Sequence, residues 1–180
     1  MKTLKPTNNA QRNVILVDYP EKLHSEVKKY PRSLFKRLSS HAGRNNQGKK
    51  TVRHQGAKHK KIYPIIDFKR YPHDGVEGTI KSIEYSPYHT SFISLVSYQD
   101  GSKVFIITPK GITKESLETS QKRVVITSGE NENIPIQIGN NLPLRYIPKG
   151  TPIHNLELRP GEGGKLIRSA GTYAEITGEV

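Results

Sequence analysis

Between Ile62 and Thr127 five short runs, IYPIIDFKR, GTIKSIEY, SFISLVSY, KVFIIT and RVVIT, follow one another with no helical period between them. Each is rich in β-branched or aromatic residues and bounded by Gly, Pro, Asp or Ser, the pattern of strands separated by turns. Strands this short and this close in sequence leave no room for crossover helices. The fold class is therefore all-β, and a small closed or nearly closed barrel of the oligonucleotide-binding (OB) type is the architecture that buries them. Asp100-Gly101 is a two-residue type I′ hairpin signal and predicts that SFISLVSY pairs with KVFIIT. After a polar loop at Gly129–Asn133, four further runs, IPIQIG, LRYIP, PIHNLEL and TYAEITG, start a second small barrel. The expected division is an arm at 1–61, the first barrel at 62–133 and part of a second at 134–180. Its last strand leaves an open edge, an aggregation hazard that another chain or RNA is expected to cover.

The arm has little to give to either core. From Gly43 to Lys61 the chain has seven Lys or Arg, no acid, and only Val52 and Ala57 as apolar side chains. Ordering costs roughly 1–2 kcal/mol per residue, so this stretch is expected to take a defined shape only against something acidic outside the chain. Charge is divided the same way: residues 1–70 carry eighteen Lys or Arg against four acids, and residues 71–180 carry eleven against twelve. A concentrated basic arm beside a neutral body fits a polyanion. It lacks the apolar face of a membrane-surface helix, so nucleic acid is expected and a membrane is not. Arg44, Lys49, Lys50, Arg53, Lys58, Lys60 and Lys61 are candidate phosphate contacts. Asn45, Asn46, Gln47, His54, Gln55 and His59 supply neutral donors for sugar or base edges. Upstream, Glu21–Lys29 and Arg32–Ser39 read as short helices separated by Pro31. Leu34, Phe35 and Leu38 form an apolar face, to pack on the body or to meet a partner protein.

A second basic cluster, RPGEGGKLIRSAGTY at Arg159–Tyr173, holds a Gly-x-Gly-Gly-Lys loop. A phosphate-binding P-loop needs four residues between its first Gly and Gly-Lys, then Ser or Thr, whereas Leu166 follows Lys165. The expectation is a Gly-rich loop whose backbone approaches an RNA phosphate, with Arg159, Lys165 and Arg168 around it. The absence of Cys excludes disulfides, thiol catalysis and thiolate zinc sites. No His pair stands beside a carboxylate at ligand spacing, so no metal site is expected. His154, beside Ile153 and alternating with Leu156 and Leu158, reads as an interior residue of the second barrel. No nucleophile, base and orienter set is visible, so the chain is expected not to be an enzyme. It needs no cofactor; Mg2+ enters only as an ion bound to RNA.

Gly43-Arg44-Asn45-Asn46, Arg53-His54, His59-Lys60, Asp67-Phe68-Lys69-Arg70, Ile83-Glu84-Tyr85, Pro109-Lys110-Gly111, Gly139-Asn140-Asn141-Leu142-Pro143-Leu144, Ile153-His154-Asn155 and the run from Gly163 to Tyr173 share one order with a known family. Over residues 42–178 the chain resembles bacterial-type large-subunit ribosomal protein two. The resemblance implies an OB barrel followed by an SH3-like barrel, and a primary binder of large-subunit ribosomal RNA near the subunit interface. It also implies support of assembly, subunit association and the peptidyl-transferase region without chemistry, among other ribosomal proteins. Lys69, Arg70 and Ser169 join the candidate RNA contacts.

Three departures stand out. The family's usual Gly-Gly-Gly-His-Lys run reads Gly56-Ala57-Lys58-His59-Lys60, which puts in doubt a left-handed backbone role at Ala57 and Lys58. The segment Thr113–Asn133 is longer and more polar than usual. The family also continues beyond the match, so the remaining half is expected on a second polypeptide, and its functional histidine has no counterpart here. With the Lys, Asn, Ile and Tyr usage, these departures point to a mitochondrial ribosome, with a plastid or bacterial cytoplasm as alternatives. The rival function is a protein–protein adaptor acting through the strand edge of residues 134–180.

Overall fold

The computed structural model describes residues 2–17, 30–56, 61–112, 125–129 and 134–178. The expected helix at Glu21–Lys29, the arm residues Lys58, His59 and Lys60, and most of the 113–133 segment lie outside them. Among the described residues the strands are β1 (Lys2–Thr3), β2 (Ile15–Leu16), β3 (Phe35–Leu38), β4 (Lys61–Pro64), β5 (Gly78–Glu84), β6 (Ile93–Tyr98), β7 (Lys103–Ile107), β8 (Val125–Ile126), β9 (Pro152–Ile153) and β10 (Ala174–Glu175). The helical turns among them are single 3-10 turns of three residues, and the chain is all-β.

The centre is an antiparallel sheet of order β7-β6-β5-β8. β6 is one of its two inner strands and carries buried apolar residues on both faces, as a strand covered on two sides must. Its Ile93 and Leu95 pack with Leu34, Ile66, Phe105 and Ile107, while Val96 and Tyr98 pack with Ile80, Ile83, Ile106, Ile112 and Ile126. Ile80 and Ile83 are three residues apart yet share a cluster, which strict alternation forbids. A bulge between Ile80 and Ser82 resolves this by pushing Lys81 out to solvent.

The β6–β7 hairpin forms as the sequence predicts, but with a different turn. Gly101 N–H donates to the Tyr98 carbonyl at 3.1 Å and Tyr98 N–H to Ser102 at 3.0 Å, so the loop has three residues. Gly101 closes it in the left-handed region at φ +83°, and Asp100 Oδ1 accepts from Ser102 N–H and Oγ–H.

The expected helix at 32–39 is absent. Pro31 leads into a 3-10 turn at Arg32–Leu34, and Phe35–Leu38 then runs as β3, antiparallel to β4. A strand here sets Phe35 edge-on to Phe105, centroids 5.7 Å apart, while Lys36 and Arg37 stay in water. Tyr30 completes the attachment: its ring meets Phe105 edge-on at 5.9 Å, and its hydroxyl donates to Glu84 Oε1 at 2.5 Å beside Ser82 Oγ. The apolar face at 34–35 is thus a packing anchor of the first unit.

Residues 134–178 carry less regular structure than their pattern predicts. IPIQIG forms no strand, LRYIP becomes a 3-10 turn at Leu144–Tyr146, and one antiparallel pair, β9 with β10, accompanies a Leu156–Leu166 bridge. Pro135 and Pro148 each remove a ladder donor from those runs, and Pro143 leads into the 3-10 turn. The segment is nevertheless fastened to the sheet: Asn140 Oδ1 accepts from Thr127 N–H at 3.0 Å and Asn141 N–H donates to the Thr127 carbonyl at 3.0 Å.

Candidate nucleic-acid interface

The loop from Gly43 to Val52 is self-organised. Asn45 Oδ1 accepts from Gln47 N–H at 3.0 Å and Lys49 N–H at 2.9 Å, and Asn45 N–H donates to the Lys49 carbonyl at 2.9 Å. One short amide side chain therefore replaces the backbone partners that a sheet would have given. The Gly43 carbonyl accepts from Thr51 and Val52 N–H at 2.9 and 3.1 Å. Gly43 is buried at φ +72°, and a Cβ there would collide with the Val52 carbonyl oxygen. The expectation that this stretch needs an external acid to hold a shape is corrected for residues 43–52: the loop's own side chain-to-backbone and backbone-to-backbone bonds close it. Arg44 lends one guanidinium nitrogen to the Gly48 carbonyl at 3.1 Å. Arg44, Asn46, Lys49, Lys50, Arg53 and His54 are exposed on this support, with His54 at φ +62°. Lys61 is exposed at the start of β4.

The second cluster is built where 159–170 folds onto Phe68 and Lys69. Gly164 N–H donates to the Phe68 carbonyl at 3.0 Å. A Cβ on Gly163 would press on Lys69 Cγ at 3.0 Å, and one on Gly164 would overlap the Asn155 side chain. The glycines are required by close packing of two chain segments. The expected approach of this backbone to a phosphate is corrected accordingly, since Gly163 and Gly164 are buried and the Gly164 donor is engaged. The cations stay outside: Lys69, Arg159, Lys165, Arg168 and Ser169 are exposed. Lys165 pairs with Glu162 at 2.8 Å, and the Arg168 guanidinium lies 4.8 Å from the Phe68 ring centroid.

Arg70 differs from the expectation of an outward contact. It is 6% exposed, at φ +59°, and its guanidinium donates to the Gly139 carbonyl at 2.7 Å. Burial pulls its pKa down, with Tyr98 and Asp67 opposing. The reason lies one turn earlier: Asp67 Oδ1 accepts from the N–H of both Lys69 and Arg70 at 3.0 Å, turning Lys69 out and Arg70 in. His154 sits part-buried, and desolvation followed by the Arg70 charge holds its pKa below 6.5.

Residues that the sequence did not single out fasten this junction. Tyr71 hydroxyl donates to Glu157 Oε2 at 2.7 Å and accepts from Gly161 N–H at 2.9 Å. Burial, then the Glu157 bond, raises the Tyr71 pKa above its usual value. His89 bridges Ser86 Oγ at Nδ1 (2.8 Å) and Tyr63 hydroxyl at Nε2 (3.0 Å). Desolvation and then Arg168 lower the His89 pKa. Ser86 and His89 have the spacing of a nucleophile and base, and Ser86 is 1% exposed. Their i, i+3 separation in a turn was visible in the sequence; the partners of Tyr71, 86 and 90 residues away, were not.

The geometry is thus two sets of exposed cations, one on a self-bonded loop and one on a loop packed against Phe68 and Lys69. Residues 31–117 match the family model described as Ribosomal Proteins L2, RNA binding N-terminal domain. Residues 137–180 match Ribosomal Proteins L2, C-terminal domain. The first match begins where packing of the first unit begins, beside Tyr30 and Leu34. With both domains present in order across most of its length, the chain belongs to the ribosomal protein L2 family.

Proposed function

We propose that the chain is a structural constituent of the large ribosomal subunit that binds large-subunit ribosomal RNA and supports assembly, subunit association and the peptidyl-transferase region. The observation that carries this reading is the 43–56 loop, which presents Arg44, Lys49, Lys50 and Arg53 on a support held by its own hydrogen bonds. Pre-ordered cations lose less freedom on meeting phosphates than a disordered tail would. Lys58, His59, Lys60 and Lys61 extend the set, and Lys69, Arg159, Lys165, Arg168 and Ser169 form a second line of contacts. The protein's role is positional and needs no chemistry; Mg2+ enters as the RNA's own counterion.

Ile138, Leu144, Leu158, Leu166 and Tyr173 are 42–66% exposed in the segment matched to the C-terminal domain. The reading assigns their cover to the rest of an SH3-like barrel on a second polypeptide, alongside other ribosomal proteins. The ribosome is read as mitochondrial, from residue usage and the 113–133 segment. Mass spectrometry of particles isolated in gentle salt tests both points. A stoichiometric separate peptide matching the family's remaining half, in a mitochondrial fraction, supports them; its absence overturns the second-polypeptide assignment.

Replacing Arg44, Lys49, Lys50 and Arg53 together by Gln tests the RNA role without cutting into β4. Lost binding to ribosomal RNA by a folded chain supports it, and unchanged binding overturns it in favour of the adaptor.

A further inference from the structure

Between the 3-10 turn at Ser33–Leu34, the segment Ile65–Lys69 and the loop Glu162–Arg168 runs a groove of about 560 Å³. Its floor is apolar, from Leu34, Ile65, Ile66, Phe68 and Val104, and Lys69, Lys165 and Arg168 line it too. Its size falls within the roughly 300–1,000 Å³ of sites that enclose one small ligand. The exposed Arg168 guanidinium over the Phe68 ring is a flat platform of the kind on which unstacked bases settle. Two carboxylates also line the groove, and neither is idle: Glu162 pairs with Lys165, and Asp67 caps the Lys69 and Arg70 amides.

We infer that this groove receives one nucleotide extruded from the RNA, its base on the apolar floor and the Phe68–Arg168 platform, its flanking phosphates on Lys69 and Lys165. The inference rests on the RNA-binding reading above and adds to it a specific contact. An apolar floor has no use for a phosphate backbone, and a lysine and arginine rim is poorly suited to an apolar peptide; a nucleotide has both halves. Recognition of this kind selects bulges and loops, where a base is free to leave its stack.

The test is ultraviolet cross-linking of the full chain to protein-free large-subunit ribosomal RNA from the same source, with peptide mapping, alongside binding by Ser33→Trp. Ser33 is exposed at the groove, so an indole there fills it without removing a cation. Expected are nucleotide adducts within 65–69 and about tenfold weaker binding by Ser33→Trp, the loss of one stacked base, with the salt dependence of binding unchanged. RNA binding with adducts confined to the 43–61 arm, and with Ser33→Trp equal to wild type, overturns the groove and leaves the RNA reading standing. Cross-links from 65–69 to protein in native particles overturn it in favour of a peptide occupant. No RNA binding by the unmodified chain removes the reading itself and this inference with it.

Discussion

The guanidinium of Arg70 reaches from inside the first unit to the carbonyl of Gly139, 69 residues further along, at 2.7 Å. That bond, with the Tyr71 hydroxyl to Glu157 and the Gly164 N–H to the Phe68 carbonyl, holds the two family domains in contact through one short segment. Arg70→Met leaves the Gly139 carbonyl without its donor and is expected to cost about 1–3 kcal/mol. Urea titration reads the cost as a lower midpoint. The salt slope of RNA binding should stay at the wild-type value in Arg70→Met and flatten by about 0.7–0.9 in Lys69→Gln, which removes one proposed phosphate contact.

Asn45 is predicted to act on the loop's shape and Asn46 on its ligand. Asn45→Ala removes the acceptor of two amides and should speed hydrogen exchange at Gln47 and Lys49 before any RNA is added. Asn46→Ala should leave those amides protected. Equal protection in both variants would contradict a role for Asn45 in holding the loop.

Tyr30→Phe deletes the hydroxyl that donates to the buried Glu84 carboxylate while keeping the ring against Phe105. Removing the donor from a buried carboxyl oxygen is expected to cost about 1–3 kcal/mol. Leu34→Ala, beside it in the same cluster, is expected to cost about 2–5 kcal/mol through the cavity it leaves. Thermal unfolding measures both, and near-wild-type values would mean that residues 30–38 are not part of the first unit.

His89 and His154 both have pKa values lowered in the fold, mainly by desolvation. The unfolded chain therefore binds protons first as pH falls. Stability is fully present above the unfolded value of 6.5 and is lost as pH drops through the lower folded values. Denaturation midpoints between pH 7 and pH 5 should fall, and fall less steeply in His89→Gln. A steeper fall in that variant would contradict the sign.

The sheet was legible because burial on both faces of β6 and on one face of β5 leaves a local signature in residue type. What escaped depended on distant partners. Phe35 follows the same apolar pattern in a helix or a strand, and only Phe105 and β4 decide for the strand. Lys69 and Arg70 are adjacent basic residues, and nothing in the sequence says that the Asp67 cap sends one out and the other in. The 43–52 loop was misjudged because burial was weighed and side chain-to-backbone bonding by Asn45 was not. In the second unit the alternation was real, but Pro135 and Pro148 outweighed it.

The salt dependence of binding between the full chain and protein-free large-subunit ribosomal RNA tests the central claim most directly. Each neutralised phosphate contributes about −0.7 to −0.9 to the slope of log K against log salt. A steep negative slope is expected, flattening by roughly 3 when Arg44, Lys49, Lys50 and Arg53 are all replaced by Gln. A slope near zero for the unmodified chain, or one that the four substitutions leave unchanged, would contradict the account.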